Sequence, residues 1–336
     1  MKPDHTKATT AAVNRWLIIF ATLLLALPVV VSANEQDEAY AALRAQDMRL
    51  ASVAERMLAA NAPLCRRTMP LTGMILHSED QYQQPVEGWF AQGGVAVLSV
   101  LAGSAADRAG MQENDALTVV AGAPVGPLEL IDQVPTRDRV FDQFAAQDPS
   151  APVSVVFRRS GALHQTAIEA PEGCYALVEI LSENDRSARS DGRVIQVYYG
   201  LAAMAADQQL AVVFAHELAH SVLEHRRRLE EAGVEGGLLG EFGRNRRLAR
   251  QVEVEADLLS VHLLANSGYD PAIAPQFWLS DEGKRLSSGL LRAGRYPSRR
   301  ERAEMMEQEI AQFLSAGGDI SMAEHLLDQR EMPFTD

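Results

Sequence analysis

Residues 211–225 read AVVFAHELAHSVLEH, and this apolar run carries two histidines four positions apart with a glutamate directly after the first. On a helix, positions i and i+4 lie on one face, so His216 and His220 point the same way about one turn apart. Two imidazoles at that spacing can grip one zinc ion. Glu217 lies where its carboxylate can reach a water on that metal, which completes an HExxH arrangement of two ligands and a general base.

A catalytic zinc site needs a third protein ligand and an open position. The version with glycine and then histidine just downstream is excluded, because Leu223 and Arg226 occupy those places. His225 is one residue off and reads as a structural histidine. The alternative is a carboxylate from a second helix. Residues 250–271, RQVEVEADLLSVHLLANSGYDP, offer Glu253 and Asp257 at i, i+4 on one face, with Glu255 pointing elsewhere.

These motifs resemble the HtpX-like and CAAX-prenyl-protease-like gluzincins, zinc metallopeptidases that carry HExxH on one helix and ExxxD on a later one. The match is His216, Glu217, His220, Glu253 and Asp257, followed by GYDP at 268–271, and it covers roughly residues 175–310. The resemblance implies that Glu253 is the third zinc ligand. It also implies that Asp257 accepts a ring N–H from a ligating histidine and so fixes its tautomer. The family usually has His-Pro followed by arginine further on. Here the stretch is RYPSRRER, in which Pro297 and Arg302 keep the frame but the histidine is Tyr296. A phenol can donate a hydrogen bond to an oxyanion. Tyr296 is therefore expected to act with Glu217, and Arg302, like Asp257, to lie behind the ligands rather than on the metal.

The elements that must position these residues begin after the N-terminus. Lys2, Lys7 and Arg15 precede an apolar run at 16–31, and VSA at 31–33 offers small residues to a signal peptidase. Residues 1–33 read as a signal peptide cleaved after Ala33, with an uncleaved inner-membrane anchor facing the periplasm as the alternative. Either way the body is exported, and the periplasm is the expected compartment. The chain has only two cysteines, Cys65 and Cys174. In an oxidising compartment they read as one disulfide closing the two ends of the intervening segment.

That segment, 66–173, changes character. Short β-branched runs alternate with Gly, Pro and Asp. Residues 102–115, AGSAADRAGMQEND, resemble a PDZ domain: Ser104, Ala105, Ala109, Gly110, Met111 and Asp115 match, and Asn114 replaces the usual glycine at a turn. A helix at about 137–146 would complete a peptide groove, and LTGM at 71–74 is the candidate carboxylate loop. PDZ-like domains bind an extended peptide as an added strand, often by its C-terminal carboxylate.

The expected fold is α+β: a mostly helical peptidase domain with a small sheet, built from a first helix within 34–65 and from 174–330, with the β-rich PDZ-like domain inserted. YALVEIL and RVIQVYYG read as two strands around a polar turn, and the strand at 193–199 is expected to hold substrate. The 336-residue chain has a formal net charge of −14, which argues against nucleic acid as a partner. The basic runs Arg226, Arg227, Arg228 and Arg244, Arg246, Arg247 alternate with Glu230, Glu231 and Glu241, so they read as solvated helix faces. The function expected from all this is an exported zinc endopeptidase acting on protein or peptide substrates, including misfolded or membrane-proximal ones. Two rivals share the same residues. One is a latent or non-catalytic chaperone whose Gly-rich segment 233–243 covers the site. The other is a PDZ-like scaffold with a structural zinc. Glu217 weighs against both, since a structural site has no use for a base there.

Overall fold

The computed structural model describes residues 33–82, 88–126, 134–234, 243–287, 297–314 and 320–334. The chain is α+β, as expected. Helix α1 (Ala33–Ala60) is rich in Ala, Leu, Arg and Met, all good helix formers. Its Leu50, Val53, Ala54, Met57 and Leu58 enter the main core. Asn61 ends the helix and is fully buried. Its amide donates to Met57 O at 2.9 Å and to Leu263 O at 3.1 Å, so this polar stop is satisfied inside the core.

Strand β1 (Thr68–Pro70) leads into the insert. There follow β2 (Met74–Ser78), β3 (Val95–Val100), α2 (Ala105–Arg108), β4 (Ala116–Val120), β5 (Ala123–Pro124), α3 (Thr136–Ala145), β6 (Val153–Arg159) and β7 (Ala162–Ile168). The strands form an antiparallel sheet in the order β2-β3-β4-β6-β7, with β5 on β4. Alternation places Val153, Val155 and Phe157 of β6 inward, and Val140 and Phe144 of α3 close over them to make a separate core. Asn114 adopts the left-handed conformation its turn requires, φ 66°. Beside it Asp115 is buried and accepts two bonds of 2.6 Å from Arg159. Strand β8 (Glu172–Cys174) returns antiparallel to β1, pairing Thr68 with Cys174. The Cys65–Cys174 disulfide, Cα–Cα 5.5 Å, closes the base of the insert.

The rest of the chain rebuilds the main core around α1. Strands β9 (Leu177–Leu181), β10 (Ala188–Ser190) and β11 (Val194–Tyr198) form a small sheet in the order β10-β11-β9. This corrects one expectation, because the polar turn contains a strand of its own. Strands β9 and β11 are parallel, and β10 is antiparallel to β11. The Ala-Arg-Ser of β10 has no β-branched residue and gives no strand signal. With neighbours on both edges, β11 has no edge left for an added strand, so it does not hold substrate that way. The outer strand on that side is β10, and its Ser190 Oγ lies 2.8 Å from Ser221 Oγ of the histidine-bearing helix.

Then come α4 (Tyr199–Met204), α5 (Asp207–Val222), α6 (His225–Glu231), α7 (Gly243–Asn266), α8 (Ile273–Leu279), α9 (Asp281–Ser287), α10 (Arg299–Phe313) and α11 (Glu324–Glu331). Helix α5 is apolar on nearly every side because it is central. Phe214 and Leu218 of α5 and Leu259 and Leu263 of α7 are wholly buried between them and α1. Gly268, φ 71°, takes the left-handed position that terminates α7. Among the described residues no helix is long and apolar enough to cross a membrane. The expected signal segment lies outside the described residues apart from Ala33, where α1 begins.

Candidate metal centre

Helix α5 starts with Asp207 in its first turn, where a carboxylate favours the positive helix end, and Gln209 Oε1 accepts the Ala206 N–H at 2.9 Å. One face then carries His216 and His220 towards α7. Their Nε2 atoms are 3.2 Å apart. Glu253 of α7 brings Oε2 to 3.2 Å from His216 Nε2, and Oε1 to 3.8 Å from His220 Nε2. A tetrahedral zinc site with bonds of about 2.0–2.1 Å has edges of roughly 3.3–3.4 Å. The His216 edges are close to that length, and the Glu253–His220 edge, made by the other carboxylate oxygen, is longer, so the three residues could hold a metal ion. Glu253 Oε2 is buried and lacks any aligned hydrogen-bond donor, as a ligand atom aimed at a cation would. The donor set and spacing fit a divalent metal.

Asp257 lies one turn further along α7, fully buried, with Oδ1 at 3.0 Å from His216 Nδ1. Arg302 of α10 donates two bonds of 2.5 Å to its carboxylate and stacks its guanidinium 3.3 Å over the Trp278 ring of α8. Three helices thus fix one carboxylate against the imidazole edge that faces away from the donors. Glu217 is partly exposed on the same turn of α5. Tyr296 lies outside the described residues, as does 235–242 of the Gly-rich segment.

The metal-free cluster is electrostatically uneven. Burial disfavours a charge on His216, but the carboxylates of Asp257 and Glu253 outweigh it and push its pKa up to about 10. Burial holds His220 down to about 3, although Glu253 pulls the other way. Glu253 and Asp257 are both lowered: burial opposes this, and the facing histidines and Arg302 prevail.

Three further residues stand behind the donors, and the structure corrects the reading of one of them, Arg228. His225, expected to be structural, has its Nδ1 2.8 Å from His220 Nδ1. Glu255 does point away from Glu253, but towards His225 Nε2 at 3.1 Å. Arg228 is buried and donates to Glu255 at 2.5 Å, whereas Arg226 and Arg227 pair with Glu230, Glu224 and Glu231 on the expected solvated face. Burial pushes the His225 pKa below the usual imidazole value, although Glu255 pulls the other way. Hydrogen bonds from His225 and Arg228 overcome burial to hold Glu255 down to about 2.

The centre opens onto a cleft of about 1130 Å³ whose walls include Arg67, Tyr175, Ser190, His220, Ser221 and Glu253. A second cavity of about 1050 Å³ lies between β2 and α3, with α1 and β9 as its far wall. Leu71–Met74, Leu76, Phe141 and Phe144 line it. A second histidine–carboxylate group, unforeseen in the sequence, joins α7, α10 and α11. His262 Nε2 and His325 Nε2 lie 2.8 and 2.7 Å from the same oxygen of Glu309. The group could accept a metal ion. These are hydrogen-bond lengths, however, shorter than a zinc tetrahedron's edge, and they describe a clamp that holds α11 to the bundle. No family model matches the chain, and no curated protein matches it.

Proposed function

We propose that the protein is an exported zinc-dependent endopeptidase of the HtpX-like gluzincin kind, with a PDZ-like insert that recruits protein or peptide substrates. The observation that carries this reading is the convergence of His216, His220 and Glu253 at zinc-like spacing, with Glu217 following the first ligand on the same helix. Zinc held there would supply Lewis acidity, acidifying water and polarising a peptide carbonyl. Glu217 takes the proton of the attacking water and returns it to the leaving amine. Asp257 and His225 hold the two imidazoles with their Nε2 atoms turned inward. An extended substrate would pair with the outer strand β10, which flanks the cleft, while the β2–α3 groove would take an apolar peptide as a strand on β2. The disulfide supports an oxidising compartment.

The test is to incubate the purified mature chain with an unfolded protein, with and without a chelator, beside Glu217→Gln. The amide is nearly isosteric but cannot accept the proton, so cleavage should fall by at least on the order of 10² to 10⁴ while zinc stays bound. A wild-type chain that binds zinc and the unfolded protein but never cuts would mark a chaperone instead.

A further inference from the structure

We infer that His225 is a positioning residue for the metal centre: together with Glu255 it sets the tautomer of His220. The inference rests on the zinc-site reading above, and it reaches beyond the HExxH and ExxxD residues.

Helical spacing alone would keep His225 away. Five residues on, it would stand about 140° around the helix from His220. The chain does not continue as a helix. Glu224 takes the left-handed conformation, φ 51°, and ends α5. Arg66 at 2.9 Å and Arg227 at 2.6 Å hold its carboxylate. The kink starts α6 in a new direction and returns His225 onto His220, their ring centroids 4.9 Å apart.

The proton positions then follow link by link. Glu255 accepts from Arg228 Nη1 at 2.5 Å and from Gln251 Nε2 at 2.7 Å, so it is an ionised acceptor. His225 Nε2, 3.1 Å from that carboxylate, must therefore carry the hydrogen and donate. His225 shares Glu255 Oε2 with the Arg228 guanidinium, which already matches that carboxylate's charge, so its ring presents a lone pair at Nδ1. His220 Nδ1, 2.8 Å away, must be the donor to it. That leaves the lone pair of His220 on Nε2, the atom that faces His216 and Glu253. His225 is 2% exposed, Arg228 3% and Glu255 7%, so the inner links of this relay are shielded from water. The far end is held too, because Arg228 lies 4.3 Å over the ring of Phe334, which packs on Leu248 and Val252. Each ligating histidine thus has its own carboxylate. Asp257 serves His216 directly, and Glu255 serves His220 through an intervening imidazole.

The experiment uses the mature chain as wild type, His225→Phe and His225→Gln. The readouts are zinc affinity, by competition with a chromogenic chelator, and the visible spectrum of the cobalt-substituted protein. Phenylalanine fills the space without an acceptor. Glutamine offers an acceptor and a donor side by side. Outer partners of metal-bound histidines are typically worth 10- to 100-fold in affinity, so His225→Phe should weaken zinc by that factor and shift the cobalt bands, while His225→Gln should recover most of the loss. A folded His225→Phe protein with wild-type zinc affinity would overturn the proposal, and so would a glutamine variant as weak as phenylalanine. If His225→Phe does not fold, long-range ¹H–¹⁵N spectra of the zinc-free wild type decide: His220 protonated at Nδ1 supports the inference, and His220 protonated at Nε2 refutes it. A wild-type chain that binds no zinc would instead sink the zinc-site reading, and the spectra would still report the tautomer.

Discussion

Replacing Asp257 by asparagine separates what the buried carboxylate does for stability from what it does for the metal. Asp257 is 0% exposed and Arg302 3%, so the asparagine variant takes away the buried carboxylate that accepts two bonds from the guanidinium. Breaking one partner of a buried pair costs about 3–5 kcal/mol, a large share of the 5–15 kcal/mol that holds a typical domain. The charge partner beside His216 Nδ1 is lost as well, and zinc affinity should fall about 10- to 100-fold. The double variant Asp257→Leu, Arg302→Met removes both charges. Such replacements are often neutral or stabilising by 1–4 kcal/mol, offset here by about 0.5–2 kcal/mol for the lost stacking on Trp278. Its stability should return to within about 2 kcal/mol of wild type, while zinc stays as weak as in the single variant. Urea unfolding of metal-free protein and chelator competition measure the two quantities. A double variant no more stable than the single one would refute the buried-charge argument. An Asp257→Asn protein of unchanged zinc affinity would refute the positioning argument.

Glu253→Gln should lower zinc content well below one ion per chain by mass spectrometry, and full occupancy would mean that the third ligand lies elsewhere. Replacing both cysteines by serine opens a loop spanning 109 residues and should cost about 4–5 kcal/mol in the chain-entropy view, less any native strain; an unchanged urea midpoint would contradict it. Burial raises Asp47 to about 6, although the Ile180 N–H it accepts at 3.0 Å pulls down. Between pH 4 and 6 the folded chain therefore holds a proton that the unfolded chain has released, and this contribution to stability is lost as pH rises through 6. Asp47→Asn keeps the acceptor and should be up to about 3 kcal/mol more stable than wild type at pH 8, with no gain at pH 4; an equal difference at both pH values would contradict that.

The candidate donors were legible as pairs because helical period sets which residues share a face, while the choice of Glu253 as third ligand came from the family resemblance. His216 and His220 on α5, and Glu253 and Asp257 on α7, are each i, i+4 pairs, and a straight helix presents such pairs whatever surrounds it. The base of the insert was legible for a similar reason: two cysteines allow one pairing. Pairing partners in the small sheet were not. Whether β11 is an edge or a centre depends on β10, whose three residues carry no strand signature of their own.

His225 marks the boundary between the two cases. A periodic reading places it off the metal face, and on an unbroken α5 that reading would hold. What reverses it is the backbone angle of one residue, Glu224, where the sequence shows neither the glycine nor the asparagine that usually signals a left-handed stop. The conformation is held from outside the helix, by Arg66 beside the disulfide and by Arg227 on α6. Arg66 is adjacent to Cys65, and Glu224, Cys65 and Cys174 line the same cleft as His220. The contact that orients one metal ligand thus depends on the segment where the insert joins the helical core. Loosening that junction should be felt at His220 before it is felt at His216, whose own carboxylate is fixed by Arg302 on α10.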